Sequence, residues 1–265
     1  MNKIGITTIN GYPLTMDERM KAFRNVGFHS ILLWWGDDEI ESKADRVALA
    51  DKYNLMIENA HASTDGLNSL WIDSIDGESI VERTKQCILE CKRFNIRTMV
   101  MHLTNGSNPP PVSRIGIYRM EQIIECAENN QIALAIENMR VPEHVKFVLD
   151  TYHTPSIKFC YDSGHEHYWS PDIDWLSLYS DRVGAIHLSD NLGDMDSHLV
   201  PFDGNIKWQR IIEKLSKSSY TGTITIEAEK GSSNLYDDID LDEFLVRAYK
   251  SGLRLYEMIN KLRIK

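Results

Sequence analysis

The chain is expected to be α/β, a single (β/α)8 barrel of the TIM type spanning 1–265 as one domain. Three observations predict this. Short apolar runs alternate eight times with helical stretches, and no linker or composition break interrupts them. The length, 265 residues, is ordinary for one such barrel, typically about 250. Most of the apolar runs end in an acid or a histidine, as strands do when their C-terminal tips share one mouth. An open doubly wound sheet fits less well, because no Gly-rich phosphate loop follows the first run.

Taken in order, 3–8 is a short β-like run, and 16–26 has helical periodicity ending at Gly27, a C-cap signal. The continuous apolar run 30–35 is the second strand, and 39–53 a helix. The third strand, 54–59, ends at Ala60-His61. A polar loop at 63–77 leads to a long amphipathic helix, 78–94. The fourth strand is 96–102, followed by a loop at 104–113 carrying three prolines and by the helix 115–129. Strand 131–137 and helix 142–150 come next. The sixth strand, 156–161, runs into a loop bearing Asp162 and His165, with a short helix near 173–179. Strand 182–187, a long polar loop to Gly204, helix 208–217, strand 221–226 and a closing helix 241–262 complete the chain. The loops at 65–77 and 109–111 are expected to form part of the mouth's wall.

Composition bounds the partners. Hydrophobic residues make up 42%, enough for a sizeable core, and the formal net charge is −10. Without a basic block or Arg-rich arm, nucleic acid is not the expected partner. Cys87, Cys91, Cys126 and Cys160 have neither zinc-knuckle nor disulfide-framework spacing. Cys87 and Cys91, four apart, read as one inward helix face. The chain enters its first strand directly and has neither a signal peptide nor a long apolar run, so a cytoplasmic protein without membrane contact is expected.

The chemistry lies at the strand tips. His61, His102, Glu137, Asp162 with His165, His187 and Glu227 follow strands three to eight, and Asp196 and His198 sit in the loop after the seventh. Four carboxylates in one cleft repel unless their pKa values rise or cations compensate them. Five imidazoles beside them favour cations. A mixed nitrogen and oxygen set suits Zn²⁺ or Mn²⁺ better than Mg²⁺ or Ca²⁺. Singly, a histidine at a strand end is more often structural; jointly, these nine positions point to a metal site. Glu137 and Glu227 each cap an apolar strand, where an ionised group needs a partner. Trp34 and Trp35 end the second strand beside the mouth, where they could wall a sugar face or pack the barrel. Asn138 and Asp190 are further candidates for substrate contact, while Asp190 and Asn191 could instead orient the site or serve a helix cap or turn. His29, His144, His153 and His167 receive no role.

The motifs Met99-Val-Met-His102, Ala135-Ile-Glu137-Asn138, Cys160-Tyr-Asp162-Ser-Gly-His165, Ala185-Ile-His187-Leu-Ser-Asp190, Asp196-Ser-His198 and Ile224-Thr-Ile-Glu227 span nearly the whole chain. With them the chain resembles the xylose isomerase-like barrel superfamily, which holds sugar (phosphate) isomerases and epimerases, inositol-catabolism barrels and the endonuclease IV group. The resemblance to the epimerase branch implies one divalent ion held by Glu137, Asp162, His187 and Glu227. The two glutamates then act as an acid/base pair through an enediolate, and His165 helps to bind a sugar or sugar phosphate. The resemblance to the endonuclease IV branch implies that all nine residues hold up to three zinc ions for phosphoester hydrolysis. Two departures stand out. No Arg follows His187, where the epimerases carry one, and the loops at 36–39 and 63–77 are acidic or neutral, unlike DNA-penetrating loops. The isomerase or epimerase reading is preferred and the zinc phosphoester hydrolase is the alternative. Barrels of this kind often pair, so a homodimer is one expectation.

Overall fold

The structure is a computed structural model that describes residues 3–231 and 233–264. Eight strands alternate with helices: β1 (Ile4–Thr7), α1 (Met16–Val26), β2 (Ser30–Trp34), α2 (Lys43–Lys52), β3 (Met56–His61), α3 (Ile75–Arg93), β4 (Thr98–Met101) and α4 (Arg114–Asn130). They continue as β5 (Ala133–Glu137), α5 (Pro142–Thr151), β6 (Ile157–Asp162), α6 (Ser163–Trp169), α7 (Trp175–Tyr179), β7 (Val183–His187), α8 (Trp208–Lys217), β8 (Ile224–Ile226) and α9 (Leu241–Arg263). The strands form one parallel sheet in the order β7-β6-β5-β4-β3-β2-β1-β8. It closes just past β7, where Leu188 N donates to Thr225 O (2.9 Å) and Glu227 N to Leu188 O (3.1 Å). The expected (β/α)8 barrel is the observed architecture, and all eight C-terminal tips open at one end.

Local chemistry explains the helix boundaries. Thr15 and Glu18 make a reciprocal capping box on α1, and Gly27 ends it at φ 114°. Ser74 caps α3, so this helix starts three residues before the amphipathic pattern alone suggests. Leu67–Trp71 forms a 3-10 turn inside the stretch expected to be plain loop. Trp71 donates to Leu103 O, and the buried Arg119 guanidinium binds the carbonyls of Ser69, Leu70, Ile72 and Ser74. This segment is therefore drawn down onto α3 and α4. Its residues 65–77 and the three prolines are not part of the mouth cavity's lining, contrary to expectation. His144 holds the proline loop instead, with Nε2 2.9 Å from Pro110 O.

The apolar outer faces of the strands and the inner faces of the helices make the main core, from Phe23 and Phe28 to Phe244 and Leu255. Cys87 and Cys91 are buried in it, on one face of α3. The barrel interior differs. Beneath the mouth lies a layer of small side chains, Val100, Ala135, Cys160 and Ala185. At the floor, a bulge in β3 leaves Glu58 unmatched between Ile57 and Asn59. The Glu58 carboxylate crosses the barrel to accept from Thr223 N (3.2 Å), Thr223 Oγ1 (2.9 Å) and Tyr220 Oη (3.2 Å). Among the described residues no helix is long and apolar enough to cross a membrane.

Candidate metal centre

The tips of β3 to β8 deliver the groups, with Asp162 and His165 both after β6 and Asp196 and His198 in the loop after β7. Glu137, at the end of β5, lies at the middle of the set. Its Oε2 is 3.2 Å from His61 Nε2 and 2.9 Å from His102 Nε2, while its Oε1 is 3.1 Å from His187 Nδ1. Glu227 Oε2 is also 3.1 Å from His187 Nδ1. On the other side, Asp196 Oδ2 lies 3.4 Å from both His165 Nε2 and His198 Nε2. All nine residues singled out above thus converge. Eight of them form three groups, the first two sharing Glu137 and His187: His61, Glu137 and His187; Glu137, Asp162, His187 and Glu227; and, separately, His165, Asp196 and His198; His102 joins the set through Glu137. In each group the ligand atoms lie within 4.8 Å of one another.

The electrostatics follow from burial and crowding. Burial pushes the Asp162 carboxyl up to about 8, with Glu227, Glu137 and Asp196 adding to the rise against His165. Burial would raise Glu137 as well, but His187 and His102 hold it well below the ordinary carboxylate range. Asp196 is lowered in the same way by His165 and His198. Burial lowers His102; against burial, His187 is raised by Cys160 and then by Glu227 and Glu137, and His198 by Asp196.

The donor set fits divalent cations. Asp162 Oδ2 and Asp196 Oδ1 are buried without a hydrogen-bond partner, which is costly for a carboxylate oxygen unless something positive faces it. The mixture of imidazoles and carboxylates is that of Zn²⁺ or Mn²⁺ sites. No ligand atom demands a large backbone distortion, although His198 adopts φ 41°, an uncommon conformation for a side chain-bearing residue and one often found at functional sites.

Three of the candidates for substrate contact lie away from the cavity. Trp35 is 1% exposed, with its indole Nε1 donating to Glu90 Oε2 (2.8 Å) on α3. Side chains alternate along a strand, so Trp34 faces the mouth and its neighbour faces the helix layer. Asn138 is fully buried and brackets the Asp162 peptide, accepting from its N–H (2.7 Å) and donating to its carbonyl (2.8 Å). Asp190 is also fully buried. Its carboxylate accepts from the backbone N–H groups of Asn191, Phe202 and Ile206 and from the Trp208 indole. Asn138 and Asp190 therefore shape the loops that hold the site and do not reach the cavity.

The cavity at the mouth has a volume of about 260 Å³ and is lined by Thr7, Ile9, Leu32, Trp34, Thr64, Trp169 and Glu229 together with the candidate ligands His61, His102, Glu137, His165, Asp196, His198 and Glu227. Trp169 escaped the sequence reading. It stacks on His165 (centroids 4.3 Å apart, planes at 29°), four residues earlier on α6. The signal was present: Asp162 is an N-cap whose side chain accepts from His165 N, the mark of a helix start where a loop was expected.

A family model described as xylose isomerase-like TIM barrel matches residues 20–249. The chain belongs to the xylose isomerase-like TIM barrel family. Two sequence relatives are themselves uncharacterized. The protein y4fM of Sinorhizobium fredii is 29% identical over 145 residues, 52% of this chain and 45% of its own length. The protein MJ1311 of Methanocaldococcus jannaschii is 27% identical over 221 residues, 74% of this chain and 71% of its own. This chain therefore spans less than half of the first relative. Solved structures agree on the fold. A D-tagatose 3-epimerase-like protein is 20% identical with a TM-score of 0.76, covering 99% of this chain and 98% of that one. An L-ribulose 3-epimerase is 16% identical with a TM-score of 0.77, covering 98% and 96%. The IOLI protein with a bound zinc atom is 14% identical with a TM-score of 0.78, covering 96% and 98%.

Proposed function

We propose that the chain is a divalent-metal-dependent isomerase or epimerase of a sugar or sugar phosphate, with Zn²⁺ or Mn²⁺ as the ion. The single observation that carries this reading is the pairing of Glu137 and Glu227. Both carboxylates approach the same His187 nitrogen at 3.1 Å, and both line one cavity. Glu137, Asp162, His187 and Glu227 would hold one ion, which when bound polarises a carbonyl and its neighbouring hydroxyl.

The chain's own residues would then move the proton. Glu227, the more exposed of the two carboxylates at 17% against 1%, takes the proton from the carbon beside the carbonyl. The electron pair of the broken C–H bond forms the enediolate double bond. Glu137, on the far side of the group, passes a proton taken up from solvent to the opposite face or to the adjacent carbon, and Glu227 releases its proton to solvent, which resets the pair. His165 and Trp34 orient the substrate, and the Trp34 indole, tilted against His61 (5.5 Å, 34°), offers a flat wall to a sugar face.

The test is solvent exchange. The Mn²⁺-loaded protein is incubated in deuterated water with ketoses and their phosphate esters, and deuterium at the carbons flanking the carbonyl is read by NMR. Wash-in by the wild type, reduced about 10²-fold or more in Glu227→Gln, supports the reading. Absence of wash-in across the panel rejects it.

One observation favours a second reading. The His165, Asp196 and His198 group lies beside the first and would hold a further ion, as phosphoester hydrolysis by adjacent metal ions requires. Release of nitrophenolate from bis(p-nitrophenyl) phosphate by the zinc-loaded protein, together with no exchange on sugars, would move this reading to the front.

A further inference from the structure

The geometry points to an anionic substrate: the molecule bound at this mouth carries an oxyanion, a phosphate monoester or a carboxylate, at the end remote from the reacting carbon, and Arg140 receives it. The inference rests on the isomerase or epimerase reading of the same cavity and names its substrate class.

Arg140 follows Glu137 by three residues, in the loop between β5 and α5. Its side chain is exposed, and the guanidinium carbon lies 4.5 Å from the Trp169 ring centroid. Trp169 forms the cavity wall at this end and stacks on His165. The indole therefore separates a metal-ligating imidazole from a cation at the rim. Stacking on the ring restricts the guanidinium and leaves its planar N–H fork free to face an oxyanion.

Six other arginines are committed. Arg19 pairs with Glu39, Arg119 with Glu78, Arg210 with Glu166 and Arg247 with Asp203. Arg46 and Arg182 bind backbone carbonyls. Arg140 has the Trp169 ring as its one partner among the described residues, in a chain with ten more acids than bases.

Size and polarity set the orientation. The cavity, about 260 Å³, has room for a monosaccharide and opens to solvent at its rim, where a charged tail would emerge. Trp34 and Trp169 belong to β2 and to the helix after β6, four strands apart in an eight-stranded barrel and so on opposite sides. At the Trp34 side the indole N–H is taken by Asp38 (2.6 Å), which repels an anion. At the Trp169 side stands Arg140. An anionic tail leaving the cavity is thus accepted on one side and opposed on the other.

The inference is tested by equilibrium binding to the Mn²⁺-loaded protein, wild type and Arg140→Gln. The probes are D-fructose, D-fructose 6-phosphate and D-fructuronate, with inorganic phosphate alone as control. The expected result is that one anionic sugar binds about tenfold or more tighter than D-fructose. Arg140→Gln removes that ratio and leaves the Kd values of D-fructose and Mn²⁺ unchanged, and Arg140→Lys restores part of it. Which anionic sugar wins distinguishes phosphate from carboxylate. Equal binding of charged and neutral sugars, or an anionic preference that survives Arg140→Gln, overturns the inference while leaving the epimerase reading intact. Failure of every sugar to bind, with no deuterium exchange, removes the reading and the inference with it.

Discussion

The Asp162 carboxylate divides its two oxygens between two tasks. Oδ1 accepts from His165 N at 2.6 Å and starts the helix that carries His165, whereas Oδ2 is buried with no hydrogen-bond partner. Asn138 clamps the same peptide from both sides. The backbone hydrogen bonds hold Asp162 in place without its second oxygen, so that oxygen is available to a cation.

Asp162→Asn should therefore keep the fold and lose the ion. The amide oxygen can still cap α6, so the metal-free variant should lie within about 1 kcal/mol of wild type. The rise in Tm on adding Mn²⁺, present in wild type through binding to the native state, should be largely abolished. Differential scanning calorimetry with and without Mn²⁺ reads both effects.

Asp196 and His198 should control metal count independently of the glutamates. The His165, Asp196 and His198 group shares no residue with the Glu137, Asp162, His187 and Glu227 group. Elemental analysis of zinc-loaded Asp196→Ala/His198→Ala should show at least one ion fewer per chain than wild type, with one retained. An unchanged count would mean that this group holds none.

Asp190 should matter to stability more than its chemistry suggests. Asp190→Ala leaves three backbone N–H groups and the Trp208 indole without their buried acceptor. At about 1–3 kcal/mol for each unsatisfied donor, with relaxation recovering part, the loss should be at least about 3 kcal/mol. Asp190→Asn, which keeps an acceptor, should cost less. Urea denaturation measures the difference.

The two adjacent tryptophans should separate cleanly. Trp35→Ala empties a core site and should cost about 3–5 kcal/mol, leaving metal affinity unchanged. Trp34→Ala removes a partly exposed cavity wall. It should cost far less stability and weaken sugar binding, seen as a raised Kd or KM with metal affinity retained.

Much of the fold was legible because its signals are local. Helices 16–26 and 208–217 match α1 and α8, and the strand tips fell at His61, Glu137 and His187 as expected. The errors also have local causes. Gly164 made 163–169 look like a turn, although Asp162 caps a helix there. Gly116, whose added Cβ would lie 2.2 Å from Trp71, records a close approach that pulls the 67–71 segment onto α4, and no pattern within that segment announces it.

By itself, the sequence determined the alternation of elements, the parallel barrel it closes into and the nine acids and histidines at its tips. These follow from periodicity, and periodicity is a property of neighbouring residues. The tertiary structure decided what each tip residue touches. A bulge in β3 turned Glu58 into the barrel's floor, strand alternation sent Trp35 outward into the core, and loop folding made Asn138 and Asp190 internal braces. Trp169 and Arg140 met at the rim because α6 and the β5–α5 loop converge there. Such contacts join residues tens of positions apart, and only closure of the barrel brings them within bonding distance.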